Sequence, residues 1–252
     1  MNDLIQVSTH GAVAALQLNC LPTNAIAREM MDQLIHACAR IAADKSICAV
    51  IVWGGPMQFA GGSDLKQMRQ LSLDCAFERS RSGQAAFSSI AQIDKPVVAA
   101  IAGMAIGGGL ELTLWADYRI ATESAVMGLP EVTHGRMPGA GGTQRLPRLI
   151  GMSRALDLIF SGRLIHADEA KYLGLVNEVV PDDMLFSAAL AWAEQFTALS
   201  PLAVSTARRA VEASSLPLEE GLAVESRLYA DLYVSDASSA QLTAFHMQNP
   251  ST

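Results

Sequence analysis

Positive charge is in short supply in this chain of 252 residues: 18 Lys and Arg stand against 25 Asp and Glu, charged residues make up only 17%, and the net charge is -7. That balance excludes a protein held to nucleic acid or to an anionic membrane surface, since both depend on basic patches. An anionic ligand must therefore be gripped by local groups. Aromatic residues are sparse as well, at 6%, too few for the stacked platforms on which sugars bind. The four cysteines, Cys20, Cys38, Cys48 and Cys75, are scattered without a C-x-x-C pair or a His at zinc spacing. They predict neither a disulfide framework nor a metal centre, and read as small buried apolar residues in a reducing compartment. The opening stretch, "MNDLIQVSTHGAVAALQLN", has no basic segment ahead of a sustained apolar run, so no secretory signal is expected. A membrane span is not expected either. The apolar run from Pro96 to Leu110 is shorter than the roughly 20 residues a bilayer requires, contains Gly103, Gly107, Gly108 and Gly109, and stops at Glu111. The expected location is the cytoplasm, or an organelle matrix for a chain that has lost a transit peptide.

What the chain has in plenty is hydrophobic residues, at 50%. That composition lies near the apolar end for globular domains and predicts that some apolar surface is covered in a homo-oligomer. Short β-type runs bounded by turn signals occur at "GAVAALQLN" and "ICAVIVWGG", and between them Ile26, Met30, Leu34, Cys38 and Ile41 recur at helical spacing. A Gly-rich loop, "GGPMQFAGGSDLKQM", then leads to a helical stretch from about Ala76 to Ile93 and to "KPVVAAIAG", a buried strand. The order repeats: "DYRIATESAVMGLPE" reads as paired short strands and "LGLVNEVVP" as a strand after a helix. Such recurrence predicts an α/β fold in which β-β-α units stack as a spiral. From about Phe196 the pattern is helical, with Pro201 and Pro217 at helix starts. The expected division is a spiral core over residues 1–195 and a helical C-terminal oligomerisation region over 196–252.

The chemistry is concentrated in three glycine-bearing stretches. In "VVAAIAGMAIGGGLELTLWA" a buried strand passes through glycines into a helix beginning near Gly108, with Glu111 one turn further on roughly the same face. The first N–H groups of a helix have no partner within it and carry the positive end of its dipole, so this junction is a socket for negative charge. Glu111 either looks into that socket or sits in a packing turn paired with a basic group elsewhere. In "FAGGSDLKQM", Gly61 and Gly62 again precede a helix start, with Asp64 placed to cap it. One backbone N–H from each loop would make an oxyanion hole for a carbonyl that becomes an enolate. Ser63 has no G-x-S-x-G frame and no evident base, which favours its backbone over its hydroxyl. In "GLPEVTHGRMPGAGGTQRLPRLIG", Glu131 follows Pro130 and "PGAGG" supplies a further run of N–H groups. Carboxylates crowded at one centre drive their pKa values apart, so Glu111 and Glu131 are candidates for an acid and base pair. "GAGGTQ" lacks the last glycine of a dinucleotide fingerprint and no G-K-[ST] follows, which argues against a nucleotide phosphate loop.

The stretches "FAGGSDLKQM", "KPVVAAIAGMAIGGGLELTLWADYRIATESAVMGLPEV", "PGAGGTQRLPRLIG" and "SGRLIHADEAKYLGLVNEVVP", in this order and spacing, resemble the crotonase superfamily, most closely its enoyl-CoA hydratases. The likeness runs over about residues 5 to 215. It implies that an acyl-CoA thioester carbonyl sits between the backbone N–H groups of Ser63 and Gly108. It also implies that Glu111 and Glu131 hold a water that adds to the β-carbon. Glu131 matches the residue that transfers the proton at the α-carbon, and Glu111 the one that orients the water. Gly139 matches a position whose N–H also holds that water. The CoA loop comprises Ser63, Asp64, Leu65 and Lys66 together with Gly108. Coenzyme A is part of the substrate, so no separate cofactor and no metal are implied, and the activity is of the kind used in fatty-acid β-oxidation. The family further implies a homotrimer or a hexamer made of two trimers.

Three departures stand out. "LNCLPTNAIARE" is shorter and less basic than the family's usual segment, and "SDASSAQLTAFHMQNPST" lacks the expected Glu-Gly and the basic cluster. His134 stands where an aliphatic residue is usual, as a structural histidine or as part of the acyl pocket. Among competing activities, a Δ3-Δ2-enoyl-CoA isomerase typically keeps only the glutamate matching Glu131, so Glu111 counts against it. A decarboxylase or thioesterase of the same fold differs in pocket shape, which sequence does not display. A glycosidase would use two carboxylates but has no need of two oxyanion loops. A non-catalytic acyl-CoA-binding homologue would keep the fold without turnover.

Overall fold

The computed structural model describes residues 3–63 and 72–235. The chain opens with a hairpin of β1 (Ile5–His10) and β2 (Val13–Leu18), turned at Gly11, whose φ of 59° suits a residue without a side chain. Helix α1 (Arg28–Ala43) crosses to β3 (Ala49–Trp53), and α2 (Leu73–Ala91), capped by the Ser72 hydroxyl, leads to β4 (Val97–Ile101). Next come the short strand β5 (Met104–Ile106), the six-residue helix α3 (Gly108–Thr113), β6 (Tyr118–Thr122) and β7 (Val126–Gly128). A 3-10 turn over Pro130–His134 precedes α4 (Gly142–Ile150) and α5 (Met152–Ser161). The rest is β8 (Ile165–His166), α6 (Ala167–Leu173), β9 (Glu178–Val180), α7 (Leu185–Glu194), α8 (Pro201–Glu212) and α9 (Leu218–Tyr233).

The large sheet runs β1-β2-β3-β4-β6-β9, antiparallel only at the β1–β2 hairpin. Its central strands β3 and β4 read as unbroken apolar runs because both faces are covered. Leu16, Val50, Val52, Ala99 and Ile101 point to the core that α1 and α2 complete. The alternate residues Ala15, Ile51, Val98, Ala100 and Ile120 meet Leu185, Ala189 and Ala193 of α7. Among the described residues no helix is long and apolar enough to cross a membrane, and no group of three or more His, Cys, Asp or Glu stands together to hold a metal ion.

A second, small sheet has the order β5-β7-β8, and Ala60 joins it through a parallel bridge to Ala105. Three successive passes of the chain thus share one form. Each runs a strand in the large sheet and then bends to the small sheet, the first joining it through the Ala60–Ala105 bridge, and the second and third continue into α3 and the 3-10 turn. The passes are β3 with residues 60–63, β4 with β5 and α3, and β6 with β7 and the 3-10 turn. This is the stacked β-β-α spiral expected from the sequence. The Ala60 segment, β5 and β7 lie side by side in that order, so Ser63, Gly108 and Glu131, each two or three residues beyond Ala60, β5 and β7 respectively, are brought to one edge.

The structure departs from the sequence reading in three places. Strand β1 was not expected; it is an edge strand with only Ile5 buried, so its apolar signal is weak. Strands β6 and β7 are both present but do not pair with each other: β6 lies between β4 and β9, and β7 between β5 and β8. Helices α4 and α5 form over residues to which the sequence reading gave no element. The glycines at 139, 141 and 142 stand just before and at the start of α4. Helices α8 and α9 form the C-terminal end of the described chain, and α8 is fastened to the core by Arg208, which pairs with Asp117 at 3.0 Å and donates to the Ala91 carbonyl at 2.9 Å.

Candidate active site

Two peptide units begin the site. The Gly62 carbonyl accepts the Ile26 N–H at 2.8 Å, and the Gly107 carbonyl accepts the Glu111 N–H at 2.9 Å. A trans peptide is planar, with C=O and N–H opposed, so the N–H of Ser63 and that of Gly108 each point away from these bonds. The two units adjoin: a Cβ built on Gly62 would lie 3.7 Å from the Gly108 nitrogen, and one on Gly108 would lie 3.8 Å from Ser63 Oγ. Asn24 braces the loop behind them. It is fully buried, and its side-chain N–H groups donate to the carbonyls of Gly54 at 2.8 Å and Phe59 at 2.9 Å, while its Oδ1 accepts from Cys20. Asp64, Leu65 and Lys66 lie outside the described residues.

The glycines before Glu111 have separate causes. Gly107 has φ 53°, and a Cβ there would come within 2.9 Å of Glu131 Oε1, so any other residue is strained and pushes into the carboxylate. Gly109 packs so closely on the 60–63 strand that a Cβ would stand 2.2 Å from the Ala60 carbonyl oxygen. Helix α3 ends against Arg119, only 4% exposed, which donates to the Ala116 carbonyl at 2.7 Å and the Leu175 carbonyl at 2.8 Å.

Glu111 is 3% exposed. Its Oε1 accepts the N–H groups of Ala140 and Gly142, both at 2.8 Å, so the carboxylate rests on the N-terminus of α4. Burial raises its pKa, opposed by the backbone N–H groups of Gly142, Ala140 and Gly139. The buried charge is thus met by peptide dipoles and not by a basic side chain. Glu131 is in the opposite condition. Its Oε2 is buried without a hydrogen-bond partner. Burial and the Glu111 charge raise its pKa to about 7, against its own backbone N–H. One carboxyl is held as an acceptor, and the other is poised to carry a proton near neutral pH.

The loop over residues 139–142 is held from both sides. Ser80 Oγ donates to the Gly139 carbonyl at 2.7 Å, joined by Gln84 Nε2 at 3.2 Å, and the Trp115 indole donates to the Ala140 carbonyl at 3.4 Å beneath the Arg145 guanidinium. Sequence reasoning did not single out Asn24, Ser80, Gln84 or Trp115. No spacing rule marks them, because each acts on a segment distant along the chain. His134 lies on the exposed side of the 3-10 turn, with Nδ1 3.0 Å from Thr133 Oγ1.

The sequence model of the enoyl-CoA hydratase/isomerase family matches residues 8–250. A Rhizobium meliloti protein named "Probable enoyl-CoA hydratase" is 37% identical over 245 residues, 96% of this chain and 95% of that protein. "Probable enoyl-CoA hydratase, mitochondrial" of Dictyostelium discoideum is 37% identical over 88% of this chain and 80% of its own. The crystal structure of enoyl-CoA hydratase from Bacillus anthracis superposes with a TM-score of 0.92 at 36% identity, covering 97% of this chain and 96% of that one. Pseudomonas aeruginosa DspI superposes at 0.94 with 32% identity, covering 98% and 95%. This chain belongs to the enoyl-CoA hydratase/isomerase family of the crotonase superfamily.

Proposed function

We propose that the protein is a hydratase that adds water across the 2,3 double bond of a 2-enoyl-CoA. The observation that carries this reading is the contrast between the two glutamates: Glu111 is supplied with backbone donors, whereas Glu131 has a bare buried oxygen and a pKa near neutrality. In this reading the thioester oxygen lies against the N–H groups of Ser63 and Gly108, which stabilise the enolate as it forms. Glu111 holds the water, whose hydroxyl joins C3 while its proton passes to Glu111. Glu131 delivers a proton to C2. Water is thereby added in full, and the two carboxyls exchange their proton states before the next cycle. Nothing beyond the CoA of the substrate is required, and the N–H of Gly139 is a further candidate to hold the water. Relatives named as hydratases support the assignment. Asp64, Leu65, Lys66 and Gly108 are assigned to the CoA side of the site. His134 is assigned to the rim of the acyl end, and a reducing compartment, cytoplasm or organelle matrix, to the protein.

The test is loss of enoyl absorbance across a panel of 2-enoyl-CoA chain lengths beginning with crotonyl-CoA. Glu111→Gln and Glu131→Gln should each slow hydration by about 10² to 10⁴, the usual range for a positioned acid or base. Both variants should still bind an acyl-CoA, since the carbonyl donors are backbone groups, and the double variant should not show the product of the two losses. A wild-type protein that hydrates no enoyl-CoA yet converts 3-enoyl to 2-enoyl thioesters would be an isomerase, and the proposal would be wrong.

A further inference from the structure

We propose that Ser80, on α2, is a positioning residue that sets Glu111 through one peptide plane, with Gln84 as its second. The inference rests on the role given above to Glu111. The plane is the one between Gly139 and Ala140. Its carbonyl is gripped from α2 by Ser80 Oγ at 2.7 Å and Gln84 Nε2 at 3.2 Å, and Gln84 also donates to Ser80 Oγ at 3.3 Å. On the other side of the same plane, the Ala140 N–H donates to Glu111 Oε1 at 2.8 Å. Because C=O and N–H of a trans peptide are rigidly opposed, fixing the carbonyl aims the N–H. A carbonyl that accepts strong bonds also makes its N–H a better donor, by about 10–30% per bond. Gly83 completes the arrangement, because a Cβ there would press to within 3.2 Å of the Ala140 Cβ. The missing side chain lets α2 lie against the loop.

Ser80 is a marginal choice for mere stability. It lies in a helix interior, where a hydroxyl competes with the backbone, and its bond crosses 59 positions of sequence to an irregular loop. The Ser80 bond is not the loop's sole tie, since the Trp115 indole donates to the Ala140 carbonyl at 3.4 Å. What it determines is the angle of the plane. The charged and titratable groups on the elements around Glu111 are Glu131 and His134 in the 3-10 turn, Arg136 in the loop after it, Arg145 and Arg148 on α4, Asp74, Glu78, Arg79 and Arg81 on α2, and Asp117 and Arg119 beyond the end of α3. None of them is altered by a change at Ser80.

The experiment compares Ser80→Ala and Ser80→Thr with wild type by hydration kinetics from pH 5 to 9 and by ¹³C titration of the Glu111 carboxyl. Ser80→Ala should lower kcat about tenfold, the scale on which outer hydrogen-bond partners of a site group act, and leave KM within about twofold. Its Glu111 carboxyl, with a weaker donor on Oε1, should titrate higher than in wild type. Ser80→Thr, which keeps the hydroxyl, should restore most of both. The idea is overturned if Ser80→Ala leaves kcat and the carboxyl titration as in wild type, if the loss appears in KM alone, or if Ala and Thr are equally impaired. If the wild type proves not to be a hydratase, the functional proposal fails on its own, and the carboxyl titration still decides whether Ser80 acts on Glu111.

Discussion

Replacing Glu131 by Gln should make the protein's stability less dependent on pH, and the sign and size of the effect follow from the environment of that carboxyl. In the folded chain its pKa is pushed from 4.5 to about 7, first by burial and then by the charge of Glu111. Below about pH 4.5 the carboxyl is protonated in both folded and unfolded chains and contributes no pH dependence. Between there and pH 7 the unfolded chain releases the proton and the folded chain keeps it, so stability falls as pH rises. Above 7 the penalty is complete. At about 1.4 kcal/mol per pH decade, the interval caps the effect at roughly 3 kcal/mol. Because the side chain is only part-buried, water screens the carboxyl and about 1–2 kcal/mol is expected. The assay is urea unfolding of wild type and Glu131→Gln, without CoA compounds, at intervals from pH 4.5 to 8. The variant should gain on the wild type steadily through that range and level off near pH 8. A difference that stays flat from pH 4.5 to 8 would show that Glu131 ionises like an ordinary surface carboxylate, and the proton-carrying role would lose its physical basis.

Two further outcomes are expected. Glu111→Ala should cost about 2–5 kcal/mol in unfolding experiments, because it strands the buried N–H of Gly142 along with that of Ala140, whereas Glu111→Gln, which keeps an oxygen at the same place, should cost about 1 kcal/mol or less; equal losses would mean that the carboxyl does not cap α4. The protein should sediment as a trimer or hexamer, because α9 buries only Leu228 and exposes Leu218, Tyr229 and Tyr233; Leu218→Glu together with Tyr229→Glu should shift it to smaller species, and a wild-type monomer at micromolar concentration would refute the expectation.

The parts of this protein that were legible in its sequence are those governed by local rules. The runs at Val97–Ile101 and Ala49–Trp53 are apolar because they are covered on both faces, and they announced themselves as strands. The glycines around Glu111 indicated a close approach of backbone and charge, and Gly107 lies where a Cβ would meet the Glu131 carboxyl. The sequence pointed Glu111 at the start of its own helix, whereas from the fourth position of α3 its carboxylate reaches across to the N-terminus of α4, where the N–H groups of Ala140 and Gly142 take it up. Asn24, Ser80 and Gln84 were silent because the carbonyls they hold, those of Gly54 and Gly139, lie 30 or more positions away, and polar residues of those types on a helix or loop are ordinarily bound to water. Strand β1 was faint for the opposite reason, having almost nothing to bury.

The stacking of residues 60–63, β5 and β7 also supplies a ruler. Neighbouring strands in a sheet stand about 4.8 Å apart whatever their side chains, so the Ser63 and Gly108 N–H groups and the Glu131 carboxyl are separated by rungs of a ladder whose spacing mutation cannot easily change. On the function proposed above, a thioester laid across those rungs would meet its carbonyl donors on two of them and its acid on the third. Such a site tolerates wide variation in what is attached to the ends of the rungs, because acyl pockets and CoA contacts can be rebuilt in the flanking loops without recalibrating the distance between the groups that hold the carbonyl and those that move the proton.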